Sequence, residues 1–210
     1  MQHQPVSDRE IDAGHTQIQR YLAAHVEERS MSNETLRWET LDSAIDYRCP
    51  GFAVRADQVR LPDGTETDYH SVDEREAVVV LPFTPAGDLV VIAEWRQAVG
   101  RINRGLPAGT VEGSEDLAVA AERELREETG YTANDLEHLI SVEPSNGIAN
   151  SVHHHFVATG CAPAGDQSLD FNESIRVDTV DYDDFVQSVR EGDVRDGRAA
   201  LAVSYYELQR

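Results

Sequence analysis

Lysine is missing from this chain. Its eighteen basic residues are all arginine, and they face thirty-nine acids for a formal net charge of −21 over 210 residues. A surface so anionic repels the phosphates of nucleic acid, which argues against a duplex as a partner. Cysteine is almost missing too. Cys49 and Cys161 cannot build a disulfide framework, and a reducing compartment is the simpler setting for them. No apolar run approaches the roughly 18 residues of a membrane-spanning helix. Met1 to Glu10 are polar and show no signal peptide. These absences predict the cytoplasm of a salt-loving organism, with no nucleic acid and no membrane as partner. Because acids are abundant everywhere, their number alone reads as a solvated, salt-adapted surface. Any argument that some of them bind metal has to rest on spacing.

What is present is ordinary globular material, 40% hydrophobic, enough for one sizeable domain with a small appendage. Residues 7 to 30 read as a polar helix with Ile11, Ile18, Leu22 and Val26 as a thin apolar stripe. Met31 follows, so this stretch is either a genuine extension or a misassigned start. Phe52, Val54 and Val59 alternate into Leu61-Pro62-Asp63-Gly64, which predicts a hairpin over 52–72. Denser apolar strands are predicted at 77–81 and 89–95, joined by a turn at Pro85-Ala86-Gly87-Asp88. A helix is predicted from Glu115 to Thr129, with Ser114 as its cap, Glu115 and Asp116 at its positive end and Gly130 as its stop. Strands at 138–143, 152–159 and 175–180 and helices at 182–191 and 197–209 complete the pattern. In the last helix Leu201, Tyr205 and Leu208 share one side. Strands mixed with few helices predict an α+β or α/β/α sandwich.

Inside the predicted helix the acids fall into a pattern. At about 100° per residue, Glu128 lies about 40° from Glu124 on one side and Glu127 about 60° on the other. Like charges at this spacing repel, and cations relieve them. Oxygen-only ligands suit magnesium or manganese. Ala118, Ala121 and Leu125 lie on the adjacent face and can pack on a sheet. Arg123, four residues before Glu127, can orient it.

The segment Gly109 to Tyr131, GTVEGSEDLAVAAERELREETGY, resembles the Nudix box. Gly109, Glu115, Arg123, Glu124, Leu125, Glu127, Glu128 and Gly130 fall in the required places, and Tyr131 fills the last apolar position. From this chain's own composition a chance match is on the order of one in a million. The resemblance implies an α+β fold, a Nudix α/β/α sandwich with a mixed sheet, preceded by a small N-terminal antiparallel β region. It implies Mg2+ or Mn2+ held by Glu124, Glu127, Glu128 and the backbone carbonyl of Ala108. Such ions neutralise phosphate charge and lower the pKa of a bound water. The domains expected are residues 1–35, a helical extension, 36–75, the β region with a possible dimerisation role, and 76–210, the hydrolase domain.

Leu106-Pro107-Ala108-Gly109, Glu94 through Arg101, Pro144 and the segment from Glu191 to Leu201 resemble the ADP-ribose pyrophosphatase branch. The chain departs from that branch at Gly105, where a glutamate is common, and offers only Asp170 and Glu173 in the loop before residue 175. Glu173 is the candidate general base, with Glu127 of the box as the alternative. Arg96 is the candidate phosphate grip, Arg101 a further substrate contact, and Trp95 either a stacking platform or a core aromatic. On a strand, His153 and His155 share a face opposite to His154 and read as neutral neighbours of the site. The function expected is cleavage of a nucleotide-sugar, ADP-ribose giving AMP and ribose 5-phosphate, by a homodimer. Other nucleoside diphosphate sugars, nucleoside triphosphates, and a non-cutting sensor that binds ADP-ribose are the alternatives.

Composition by itself predicts salt dependence. Surface charges repel over about 10 Å in 0.1 M salt but only about 3 Å at 1 M. With chelator present, the melting temperature should rise as potassium chloride goes from about 0.1 to about 3 M. A midpoint that stays flat or falls refutes the halophilic reading.

Overall fold

The computed structural model describes residues 35–210. The predicted helix at 7–30 lies outside them. Among these residues two compact units are distinguished, one holding 35–48 with Ala53–Ser71, the other Cys49–Phe52 with Val72–Arg210.

The first unit is a three-stranded sheet in the order β1-β2-β3, from β1 (Glu39–Arg48), β2 (Phe52–Arg60) and β3 (Glu66–Glu74). The predicted turn joins β2 to β3. Gly64 adopts φ 86, its N–H bonds to Leu61 O at 2.9 Å, and the Asp63 carboxylate accepts from Thr65 N–H at 2.9 Å. Arg60 ties the strands together, donating to Glu66 on one side at 2.8 Å and to Glu39 on the other. All ten residues of β1 are exposed, including Leu41, Ile45 and Tyr47.

The second unit is built on β4 (Ala77–Pro82), whose Val78 through Leu81 are completely buried. A strand covered on both faces needs a continuous apolar run, and β4 supplies one. Its sheet has the order β7-β4-β10-β9, with β7 (Ala108–Thr110), β9 (Asp135–Val142) and β10 (His153–Thr159). The β4–β10 pair is parallel and the β4–β7 and β9–β10 pairs antiparallel, so the sheet is mixed. A three-stranded antiparallel sheet, β12-β5-β6, joins β5 (Leu89–Arg96), β6 (Arg101–Gly105) and β12 (Ile175–Val180). The short strands β8 (Tyr131–Thr132) and β11 (Ala162–Pro163) pair antiparallel.

Alternation along β4 sorts the core into two layers. Val78 and Val80 pack with Ala120, Ala121 and Leu125 of α1 (Leu117–Thr129). Val79 and Leu81 pack with Phe185 of α2 (Tyr182–Glu191) and with Ala199, Ala202 and Val203 of α3 (Gly197–Gln209). Helices on both sides of the sheet make the expected α/β/α sandwich. The bounds of α2, α3 and β12 are those read from the sequence. Two expectations change. Helix α1 starts at Leu117 with Asp116 as its cap, accepting from Ala118 N–H at 2.9 Å, because Glu115 is held in the preceding turn. In α3 the buried face is Ala199, Ala202 and Val203, while Leu208 is 83% exposed. Small residues let that helix lie close to the sheet.

Candidate active site

Strand β7 pairs with β4 and carries Ala108 and Gly109 against the inner side of α1. The Ala108 N–H donates to Glu128 Oε2 at 2.9 Å. A Cβ added to Gly109 would overlap the Glu124 carboxylate, so glycine lets that side chain lie directly against the strand. Glu124 is 8% exposed and Glu128 2%, whereas the Glu127 side chain, at 42%, sits at the rim. Burial pushes the Glu128 carboxyl group up to about 8, against the pull of the Ala108 N–H and with help from Glu124, Glu173 and Glu94. Burial likewise raises Glu124, opposed by Arg123.

Arg123 holds the group together. Its Nε and Nη2 grip both oxygens of Glu115 at 3.0 Å. Its Nη1 reaches Glu124 at 2.8 Å and Glu127 at 3.0 Å, and Nη2 also donates to Thr110 O at 3.0 Å. The Glu115 hydrogen bonds chiefly, and the other acids, raise the Arg123 pKa above its ordinary value. Glu115 is therefore an anchor for arginine rather than a partner of the helix dipole.

The C-terminal end of α1 is stapled to the loop that follows β11. Gly130, in the left-handed region at φ 73, closes the helix, and its carbonyl accepts from Ala164 N–H at 2.8 Å. Ser168 N–H donates to Glu127 O at 2.9 Å, and Gln167 Nε2 caps Glu128 O. Further along the same loop Glu173 accepts from Asp170 N–H at 2.9 Å. Its negative charge adds to the upward shifts of Glu124, Glu128 and Glu94. A groove of about 520 Å³ runs along the outer face of α1, lined by Arg123 and Glu127 but by neither Glu124 nor Glu128.

The other candidates are spread along β5 and β6. Arg96 Nη2 pairs with Glu94 Oε2 at 2.8 Å. Glu94, to which the sequence alone assigned no role, is 8% exposed, and its place on a buried strand is what singles it out. Trp95 is 47% exposed, so it is not a core aromatic; its Nε1 donates to Gln97 at 2.9 Å. Arg101 is exposed and donates to Asn103 at 2.8 Å, with no bond to the box acids. His153 and His155 do share a face, and burial lowers both, His155 to about 4. His154 turns away to Ser141 at 2.8 Å.

Among the described residues, no three His, Cys, Asp or Glu side chains converge as a ready coordination sphere. Arg123 bridges Glu124 and Glu127 instead. The donor set still fits a hard divalent cation, since it is all oxygen, three carboxylates and the Ala108 carbonyl, and two of the carboxylates are charged only at the cost of burial.

Residues 73–201 match the NUDIX domain. The chain belongs to the Nudix family. It is a Nudix hydrolase, and the box acids lie within the matched residues. A methanol dehydrogenase activator of Bacillus methanolicus is 32% identical over 74% of this chain and 85% of its own length. An ADP-ribose pyrophosphatase of Bacillus subtilis is 32% identical over 73% of this chain and 83% of its own. A crystal structure of an ADP compounds hydrolase superposes with a TM-score of 0.74 over 82% of this chain and 94% of that one, at 22% identity, which speaks for the fold.

The raised Glu128 pKa gives metal-free protein a testable pH response. Folding favours the protonated carboxyl group, so this contribution is full below the ordinary carboxylate range and is lost as pH rises to about 8. In chelator, the melting temperature should fall between about pH 5 and about pH 8.5, and Glu128→Gln should flatten part of that fall. An equally steep fall in the variant would refute the assignment.

Proposed function

We propose that the chain hydrolyses ADP-ribose to AMP and ribose 5-phosphate with magnesium, or manganese, as its divalent cation. The observation that carries this reading is the seating of Glu124 and Glu128 against Gly109 and Ala108, with the Glu173 loop hung from the same helix. Glu124, Glu127, Glu128 and the Ala108 carbonyl would hold the cations. Bound there, they supply neutralisation of the diphosphate oxygens and acidification of water. Glu124 and Glu127 turn from the shared Nη1 of Arg123 to serve as ligands, while Glu115 keeps the guanidinium fixed. Glu173 takes a proton from the attacking water as one bridging P–O bond breaks and the water oxygen joins phosphorus. Arg96 draws on its exposed donors to hold a phosphate, Arg101 adds a further contact, and Trp95 offers its exposed face to the base. The sequence relationship to the Bacillus subtilis ADP-ribose pyrophosphatase supports the substrate class.

Product analysis over ADP-ribose, other nucleoside diphosphate sugars and nucleoside triphosphates tests the choice of substrate. ADP-ribose should give AMP and ribose 5-phosphate, and chelator should stop the reaction. Glu124→Gln and Glu128→Gln should each lose about two orders of magnitude or more in turnover. A Glu128→Gln enzyme within about threefold of wild type speaks against the site. Glu173→Gln should be severely slowed with metal binding intact; a silent Glu173→Gln beside a dead Glu127→Gln moves the base into the box. A second reading, regulation of another enzyme, draws on the Bacillus methanolicus relative, which is named an activator. Absence of turnover over the whole panel would favour it.

The chain is further proposed to work as a cytoplasmic homodimer. Strand β1 is the outer strand of its sheet and exposes Leu41, Ile45 and Tyr47, an edge that a second copy would cover. Light scattering in molar salt should return twice the mass of one chain, and a fully active monomer would rule this out.

A further inference from the structure

A hydrogen-bonded array of hydroxyl, imidazole and carboxylate side chains lies outside the box, on the outer strand of the mixed sheet. Strand β9 ends the order β7-β4-β10-β9, and its Ser141 stands directly opposite His154 of β10. His138 and Ser141 are three residues apart, a spacing that puts side chains on opposite faces of a regular strand. Here the pairing slips. Ile140 pairs with His155 and His138 with Phe156, so Leu139 is an extra residue. That bulge turns His138 onto the face that carries Ser141 and His154. The His138 ring is held edge-on to Phe156, with ring centroids 5.4 Å apart.

Ser141 Oγ therefore sits between two imidazoles, 2.8 Å from His138 Nε2 and 2.8 Å from His154 Nδ1. A hydroxyl has one proton, so it donates to one ring and accepts from the other. Glu76 decides which. Its Oε2 lies 3.4 Å from His154 Nε2, a buried nitrogen with no hydrogen-bond partner among the described residues. A carboxylate there favours the tautomer with its proton on Nε2, which leaves Nδ1 to accept the serine proton. His138 Nε2–H then donates to Oγ. An acid–base contact of this length shortens once the imidazole becomes cationic. His154 is 8% exposed, while Ser141 lies open to solvent on its edge strand. A base within reach of a hydroxyl, and an acid that orients the base, is the arrangement that activates a serine.

We propose that Ser141 is a nucleophile, with His154 as its base and Glu76 as a positioning residue, and that it takes acyl groups from activated carboxylic esters. Oγ bonds to the carbonyl carbon while its proton passes to His154 Nδ1. The C–O bond to the leaving group then breaks, and His154 returns the proton to the departing oxygen. The products are acyl-Ser141 and the free alcohol or phenol. The array supplies a base and its orientation but no pair of donors for a carbonyl oxyanion, so the donor has to bring a good leaving group. Activated esters meet that condition and amides do not. The chain has no lysine, so no ε-amine competes for such a donor. This chemistry is independent of diphosphate cleavage.

p-Nitrophenyl acetate on the full-length protein tests this. Release of p-nitrophenolate is timed, samples are quenched in acid, and mass spectrometry of peptides locates the acetyl group. Wild-type protein should carry it on Ser141, and Ser141→Ala should carry none there and release p-nitrophenolate no faster than buffer. His154→Gln should slow acetylation of Ser141 by about a hundredfold or more. Glu76→Gln should slow it about tenfold while the melting temperature stays that of wild type. The Glu76 side chain is 56% exposed, so Glu76→Gln decides alone if His154→Gln fails to fold. Acetyl groups found only elsewhere, on Cys49 for instance, overturn the proposal. So does a Ser141 acetylated at the wild-type rate in Glu76→Gln.

Discussion

Glu124 and Glu128 are buried side by side on a helix that must also pack against a sheet, and their charge has to be offset somewhere. Arg123 offsets much of it. Its five hydrogen bonds join Glu115, Glu124, Glu127 and the Thr110 carbonyl, so one guanidinium links the approach to the helix, the helix itself and the neighbouring strand. The bidentate grip on Glu115 is what keeps this arginine in place while its other bonds remain exchangeable. Glu128 lies beyond its reach, held by the Ala108 N–H and raised by burial, which makes it the acid with most to gain from a bound cation.

Precision in such a site comes from regular elements. Val78 and Val80 seat α1 on one side of β4, while Val79 and Leu81 hold α2 and α3 on the other. The glycine at 109 removes the one side chain that would separate Glu124 from β7. The loop carrying Glu173 is irregular, yet it begins on four backbone-directed hydrogen bonds to Glu127, Glu128 and Gly130. Loop and helix therefore move as neighbours rather than independently.

Two arrangements of charge coexist in the molecule. The exposed acids are excess surface charge that salt screens. The enclosed ones, Glu94, Glu124, Glu128 and Asp196, are each met by an arginine or a backbone N–H. An exclusively arginine repertoire suits the second task, because a planar fork satisfies two carboxylates at once.

Local pattern determined much of this protein. Apolar periodicity sufficed for β4, β5, β10 and β12 and for the bounds of α2 and α3, and the spacing of the box acids was visible as chemistry before any fold was drawn. Strand β1 escaped because all its residues are exposed, which leaves no alternation to read. Helix α1 begins at Leu117 rather than at Glu115, since nothing near Glu115 in the sequence reveals that Arg123, eight residues on, holds it in a turn. The exposure of Trp95, the buried face of α3, and the enclosure of Glu94 beside Arg96 were likewise settled only by the tertiary structure. Periodicity reports which side of an element avoids water. It carries no information on which distant residue neutralises a buried charge, because that depends on how the sheets and helices are stacked.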